Sequence, residues 1–257
     1  MKFGCCTIIE NAAIAKEAGF DFLECTVVSL VPENEDDFPG ILERYQESGL
    51  PVEACNIFLP GSLKITGEHV NISSVERYVE KALLRVKQIG ADTVVFGSGG
   101  ARSLPEGFSR KKGEEQIIQF LDLVANYSDP LGITIVIEPL NQKESNIINS
   151  VPEAVRIAKK VNRPSIQVLA DFYHMDEENE PLGHLVSEND YIRHIHVADT
   201  GRRAPGTGTY PYDRFVSCLS EAGYNGRISI ECQWQDFVAE AGAARQFLSS
   251  VLYSRKV

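Results

Sequence analysis

Residues 132–138 read GITIVIE. Gly132 stands where a helix would stop, in the left-handed position that most side chains avoid and glycine accepts. The run that follows is short, apolar and rich in β-branched residues, which predicts a strand. Side chains alternate along a strand, so Ile133, Ile135 and Ile137 share one face and Glu138 lies on the other. The same punctuation recurs outward in both directions. Helix-like stretches stop at Gly19, Gly49, Gly90, Gly132, Asn162, Asn189 and Gly223. The runs after these stops are FDFLECTV, VEACNIF, DTVVFG, ITIVIE, IQVLAD, IRHIHVAD and RISIE, and FGCCTII at the start makes eight. Between two of them, Val75, Val79, Ala82, Leu83, Val86 and Ile89 recur at the helical period and predict one buried stripe. Strand–helix alternation implies parallel pairing, because each crossover returns the chain to the same end of the sheet. Eight such units in 257 residues predict an α/β fold, a (β/α)8 TIM barrel, as a single domain over 1–257. A doubly wound sheet would place a glycine-rich loop after the first strand, and that loop here reads TIIENAA. Gly97-Ser98-Gly99-Gly100 and Gly206-Thr207-Gly208 are too short for a nucleotide-binding signature and read as tight loops.

Composition narrows the function classes. Hydrophobic residues make up 43% and charged residues 24%, an ordinary globular balance. Against 36 Asp and Glu stand 25 Lys and Arg, a formal charge of −11, which opposes nucleic-acid binding. No apolar run is long enough for a membrane span, and the opening MKFGCCTIIENAAIAKEAG soon turns polar, so a soluble, cytoplasmic protein is expected. Cys5, Cys6, Cys25, Cys55, Cys218 and Cys232 form no CxxC pair and read as reduced, buried thiols.

The last four strands end alike. Glu138, Asp171, His196 and Glu231 are separated by 33, 25 and 35 residues, about one strand–helix unit each. Each opposes an apolar set on its own strand: Ile135 and Ile137, Val168 and Ala170, Ile195 and Val197, Ile228 and Ile230. In a barrel the uniformly apolar face packs on the helices, so all four polar residues are expected to point inward, at the end of the barrel where this fold places catalysis. Three carboxylates and an imidazole at one spot would repel strongly unless a divalent cation joined them. The donor set suits Mn²⁺ best, with Mg²⁺, Co²⁺ and Zn²⁺ as alternatives. His194 shares the inward face one layer deeper and reads as a packing or supporting histidine. His69 and His184 are expected in solvent, Arg102, Arg110, Lys111 and Lys112 as an exposed basic patch, and Trp234 at the pocket wall or rim.

The stretches IEPLNQKESNIIN, ADFYHM, HIHVADTGRRAPGTG and ISIEC resemble motifs of the xylose isomerase-like barrel superfamily, in particular its D-tagatose and D-psicose 3-epimerase branch. The resemblance implies one metal on Glu138, Asp171, His196 and Glu231. It also implies substrate contacts from Glu144, His174 and Arg202. The implied activity is metal-dependent epimerisation or isomerisation of a keto-sugar or 3-oxo-glycoside, with two-glutamate proton transfer by Glu138 and Glu231 through a metal-bound enediolate. Dehydration of an inosose-type ketone, or isomerisation of a hydroxypyruvate-type substrate, would use the same site. The superfamily's DNA-repair endonucleases need more histidines and a basic groove than five histidines and a charge of −11 provide. A sugar-binding barrel without activity would not need both glutamates. A small-molecule sugar substrate and a homo-oligomer, dimer or tetramer, complete what the resemblance implies. The loops 59–71 and 99–113 are expected to wall the sugar pocket.

Overall fold

In the computed structural model, which describes residues 1–253, each predicted apolar run becomes a strand. These are β1 (Lys2–Cys6), β2 (Phe22–Thr26), β3 (Val52–Asn56), β4 (Thr93–Phe96), β5 (Thr134–Ile137), β6 (Ile166–Asp171), β7 (Ile192–Val197) and β8 (Arg227–Ile230). Each pairs in parallel with its sequence neighbours, and β8 pairs with β1, so the sheet closes into an eight-stranded barrel. The intervening helices are α1 (Ala12–Glu17), α2 (Phe38–Glu47), α3 (Ile72–Gln88), α4 (Gly99–Arg102), α5 (Arg110–Leu131), α6 (Val151–Val161), α7 (Phe172–Glu177), α8 (His184–Ser187) and α9 (Tyr212–Glu221), and α10 (Phe237–Tyr253) follows β8. Of the domain expected over 1–257, residues 254–257 lie outside the described residues.

The helix stops work as the sequence suggests at all but one place. Gly132 closes α5 at φ 66° and Asn162 closes α6 at φ 55°, both left-handed. Asn189 does not adopt that conformation. It ties two loops instead: its carbonyl accepts from the Ile192 N–H, and its side-chain amide donates to the Ala222 carbonyl at 3.0 Å. The left-handed residue in that connection is Asn179, φ 51°, just after α7.

Parity sorts the side chains into two apolar regions. Ile135, Ile137, Ile166, Val168, Ile195, Val197, Ile228 and Ile230 face outward into the main core shared with the helices, where α3 contributes Val75, Val79, Ala82, Leu83 and Val86. Val95, Val136 and Leu169 form a separate cluster inside the barrel. Phe22 also fills the interior, and Gly4 beside it has no room for a side chain, since a Cβ there would lie 2.3 Å from the Phe22 ring. At the end of the barrel where the strands begin, the Arg227 guanidinium joins Glu53 and Asp92, binding β8 to the starts of β3 and β4. Among the described residues no helix is long and apolar enough to cross a membrane. The cysteines are free; Cys5, Cys25 and Cys55 are buried and the others half-buried.

Candidate active site

The inward faces of β5 to β8 bring the four expected residues together. Glu138 follows β5, Asp171 ends β6, His196 sits near the end of β7 and Glu231 follows β8. One donor atom from each lies within 4.8 Å of the others. Glu138, Asp171 and His196 are buried. Carboxylates at such spacing repel by about 3 to 4 kcal/mol per pair at an effective dielectric near 20. Burial, and then the charges of its carboxylate neighbours Glu138 and Glu231, push Asp171 up to about 7. Glu138 is raised by burial and by Glu231. Glu231 goes the other way: against the upward push of burial, His196 and Arg202 hold it below the carboxylate range.

Hydrogen bonds fix most of these atoms and leave one conspicuous gap. His196 Nδ1 lies 3.2 Å from Glu138 Oε1 and 3.5 Å from Glu231 Oε2. Glu231 also accepts from Asn56 Nδ2 at 3.2 Å and from an Arg202 amino group at 2.6 Å. Asp171 Oδ1 caps α7 by accepting from the Tyr173 N–H at 2.7 Å, whereas Asp171 Oδ2 is buried with no partner. A buried carboxylate oxygen left bare costs several kcal/mol, so the site is built to receive a positive charge there. The donor set and this orphaned oxygen fit a divalent cation on Glu138, Asp171, His196 and Glu231.

The three further residues stand around this cluster. His174, in α7, is buried; its Nδ1 accepts from the Asn141 backbone N–H at 3.1 Å, so its proton sits on Nε2. Nε2 has no hydrogen-bond partner and lies 3.7 Å from Asp171 Oδ2. Burial, followed by the charge of Arg202, drops this imidazole to about 3, so it is neutral. Arg202 bridges Glu231 to Glu144, which it meets through both carboxylate oxygens at 3.1 Å, and its guanidinium stacks 5.1 Å from the Tyr173 ring. Beside Glu231 opens a cleft of about 640 Å³. Trp234 and Phe237 line it on one side and Ile8 and Ile41 on another, with Arg202 and Asn56 toward the cluster. The indole N–H of Trp234 donates to the Cys6 carbonyl at 3.1 Å, which holds the ring in place. Residues of the loops 59–71 and 99–113 do not line this cleft; they pack on each other over β3 and β4, with Thr66 bonded to the Arg102 carbonyl and Lys64 to that of Gly100. The apolar walls come from the loop after β1, from α2 and from the segment after β8.

Three structural partners of the cluster escape the sequence reading. Glu24, on β2, is fully buried beneath His196 and contacts both His194 and His196. The parity rule used on the last four strands finds it too, since Leu23 and Cys25 face the helices. Gly97 is more than a tight loop: a Cβ there would stand 2.2 Å from Glu138 Oε2, so the glycine makes room for the carboxylate. Arg102 is no part of a surface patch. It is wholly buried and donates to the carbonyls of Phe96 (2.9 Å), Glu138 (2.7 Å) and Ile148 (3.4 Å), and burial lowers it to about 10. Arg110, Lys111 and Lys112 do remain exposed. His69 is exposed as expected, and His184 is half-buried against Glu180 at 2.8 Å.

Comparison with known proteins places the chain in a family. A 3-dehydro-D-guloside 4-epimerase of Escherichia coli K12 is 26% identical over 231 residues, covering 87% of this chain and 86% of that one. A D-psicose 3-epimerase of Agrobacterium fabrum is 24% identical over 238 residues, covering 90% of this chain and 79% of that one. In fold, the D-psicose 3-epimerase from Clostridium cellulolyticum H10, solved with D-tagatose, superposes with a TM-score of 0.85 at 20% identity, covering 98% of this chain and 99% of that one. Residues 12–251 match the profile described as "Xylose isomerase-like TIM barrel". With eight parallel strands closed into a barrel and almost its whole length matched, the chain belongs to the xylose isomerase-like TIM barrel family, among relatives that are epimerases and therefore isomerases.

Proposed function

We propose that the protein is a divalent-metal-dependent epimerase or isomerase of a keto-sugar or 3-oxo-glycoside, in which Glu138 and Glu231 carry the proton off and back on. The observation that carries this reading is the pair of buried, unpartnered atoms at the cluster, the acceptor Asp171 Oδ2 and the donor His174 Nε2, one suited to a cation and the other to a substrate oxygen. The glycoside end of the substrate range draws support from the Escherichia coli relative and from the cleft, whose 640 Å³ falls within the range of pockets for drug-sized ligands.

Glu138, Asp171, His196 and Glu231 would hold the ion, with Mn²⁺ the best match and Mg²⁺, Co²⁺ or Zn²⁺ alternatives. When bound, the ion supplies Lewis-acid polarisation of a carbonyl, which acidifies the adjacent C–H. His174 donates from Nε2 to a substrate oxygen, and Arg202 and Glu144 orient hydroxyl groups above the cluster. One of the two glutamates takes the proton from carbon as general base; the other returns a proton to the opposite face, which inverts the centre. Return to the neighbouring carbon gives isomerisation with the same two residues. We further propose a cytoplasmic homo-oligomer, dimer or tetramer; light scattering on the purified protein tests the oligomeric state.

Two measurements test the proposal. Protein dialysed against a mild chelator and reloaded should hold one Mn²⁺ per chain, and the double variant Asp171→Ala, His196→Ala should hold none. Keto-sugars and 3-oxo-glycosides turned over in D₂O should acquire deuterium at the reacting carbon, and Glu231→Gln should abolish that exchange or confine it to one face. Product formed at full rate without solvent deuterium would reject the two-carboxylate path for a direct hydride shift and leave the ion assignment standing. Water loss from an inosose-type ketone, or turnover of hydroxypyruvate, would reassign the substrate while keeping the site.

A further inference from the structure

We infer that Glu24 is a positioning residue for the proposed ion: it fixes the ring and the tautomer of His196, so that Nδ1 is the nitrogen left to ligate. The inference rests on the metal reading above. Glu24 lies on the inner face of β2 and has no exposed surface. Its Oε1 is 2.9 Å from His196 Nε2 and its Oε2 is 2.8 Å from His194 Nε2. A carboxylate accepts hydrogen bonds and cannot donate them, so both rings present an N–H to it. The other nitrogen of His196, Nδ1, faces Glu138 Oε1 at 3.2 Å and Glu231 Oε2 at 3.5 Å, on the side of the cluster where an ion would take the place of the proton shared with those carboxylates. A ligating imidazole is held in this way, with an acceptor on one nitrogen fixing the orientation and basicity of the other.

His194 completes the device. Its ring stands edge-on to that of His196, with centroids 5.1 Å apart and planes at 78°, and its Nε2 also lies 3.3 Å from Ser229 Oγ. One carboxylate therefore grips the ligating ring and the ring that props it. The geometry also contains a rival. Cys6, Glu24 and His196 bring one donor atom each within 4.8 Å; because Glu24 meets His196 at Nε2, an ion on these three would compete with the Glu24 hydrogen bond for that nitrogen. That arrangement leaves Asp171 Oδ2 unpartnered, whereas ligation by Nδ1 draws on all four residues at the barrel mouth.

Glu24→Gln keeps the shape of the side chain but turns an NH₂ toward one imidazole N–H. Manganese affinity, read by electron paramagnetic resonance of free Mn²⁺ on protein shown to be folded by circular dichroism, should fall by about 10- to 100-fold. A second measurement needs no variant. In wild-type protein carrying ¹⁵N-histidine and loaded with Zn²⁺, the His196 proton should reside on Nε2 and the Nδ1 resonance should shift on metal addition. Affinity of Glu24→Gln within twofold of wild type, or a loaded His196 with its proton on Nδ1, overturns the inference. Loss of binding in Cys6→Ser would favour the rival site and overturn it as well. Wild-type protein that binds no metal at all would instead sink the metal reading on which the inference stands.

Discussion

Gly97→Ala offers a direct test of how tightly Glu138 is held. The methyl group would stand 2.2 Å from Glu138 Oε2 and 3.3 Å from its Cδ, far inside van der Waals contact. The strand end cannot give way easily, because the Arg102 guanidinium holds the Glu138 carbonyl at 2.7 Å. The carboxylate must therefore swing by about 1 Å, away from β4 and out of line with His196 Nδ1. A misplacement of about 1 Å at a reacting group costs on the order of 100-fold in rate, or about 2.7 kcal/mol of transition-state stabilisation. Crowding should also cost about 1–3 kcal/mol of stability. The assay is kcat/KM on the best substrate at full Mn²⁺ occupancy, with the deuterium exchange rate beside it. Gly242→Ala is the control. Gly242 lies exposed within α10 with open space where a Cβ would stand, so alanine should add about 1 kcal/mol of stability and leave kcat/KM alone. Folded, fully loaded Gly97→Ala protein with kcat/KM within threefold of wild type would refute the reasoning and free Glu138 from any demand for precise placement.

The remaining predictions concern the groups around the cluster and one surface network. Arg202→Ala and His174→Ala should raise KM or slow turnover by about 100-fold or more while leaving metal content intact, as loss of an oriented donor does; either variant arriving folded but metal-free would move that residue into the ion's own ligand set. Glu114 joins α5 to α6 through Arg156 and Lys160, and the hydrogen bond from Arg156 leads the causes that hold it down at about 2. Because its folded value is depressed from 4.5, its stabilising effect is complete above that pH and is lost as pH falls toward 2. Glu114→Gln should thus be less stable than wild type by under about 1 kcal/mol at pH 7, with the gap in urea melts closing between pH 4.5 and 2; a gap that widens on acidification contradicts the assignment.

Which of these groups can be read from sequence follows from how local their determinants are. Strand parity is a property of a few consecutive residues, so ITIVIE and RISIE suffice to point Glu138 and Glu231 inward, and the barrel follows from repeating that reading eight times. Glu24 obeys the same parity within FLECT, but its partners His194 and His196 stand about 170 positions away, and the stagger of β2 against β7 decides that they meet. Arg102 misleads because its neighbours Arg110, Lys111 and Lys112 look like one exposed patch. Only the convergence of three carbonyls from β4, β5 and the following loop gives the guanidinium a buried home. The cleft is similar: its apolar wall joins residues after β1, in α2 and after β8, and no window of sequence contains all three.

The charges inside the barrel argue for a resident cation from another direction. Glu24, Glu138, Asp171 and Glu231 place four carboxyl groups in and around one interior, and Arg202 and Arg102 are the guanidiniums that reach them or their backbone. His194 and His196 sit among them as rings with Glu24 against their Nε2 atoms. Two fixed positive charges cannot offset four carboxylates, and the shortfall appears where the groups are crowded: Asp171 is driven to about 7 and Glu138 upward, while His196 is driven well above its ordinary value despite a burial that opposes it. A divalent ion would close that gap with a neutral His196, and protons held by this cluster should then leave as the ion enters. Proton release on metal binding is thus the same electrostatic balance that makes Asp171 Oδ2 an orphan without it.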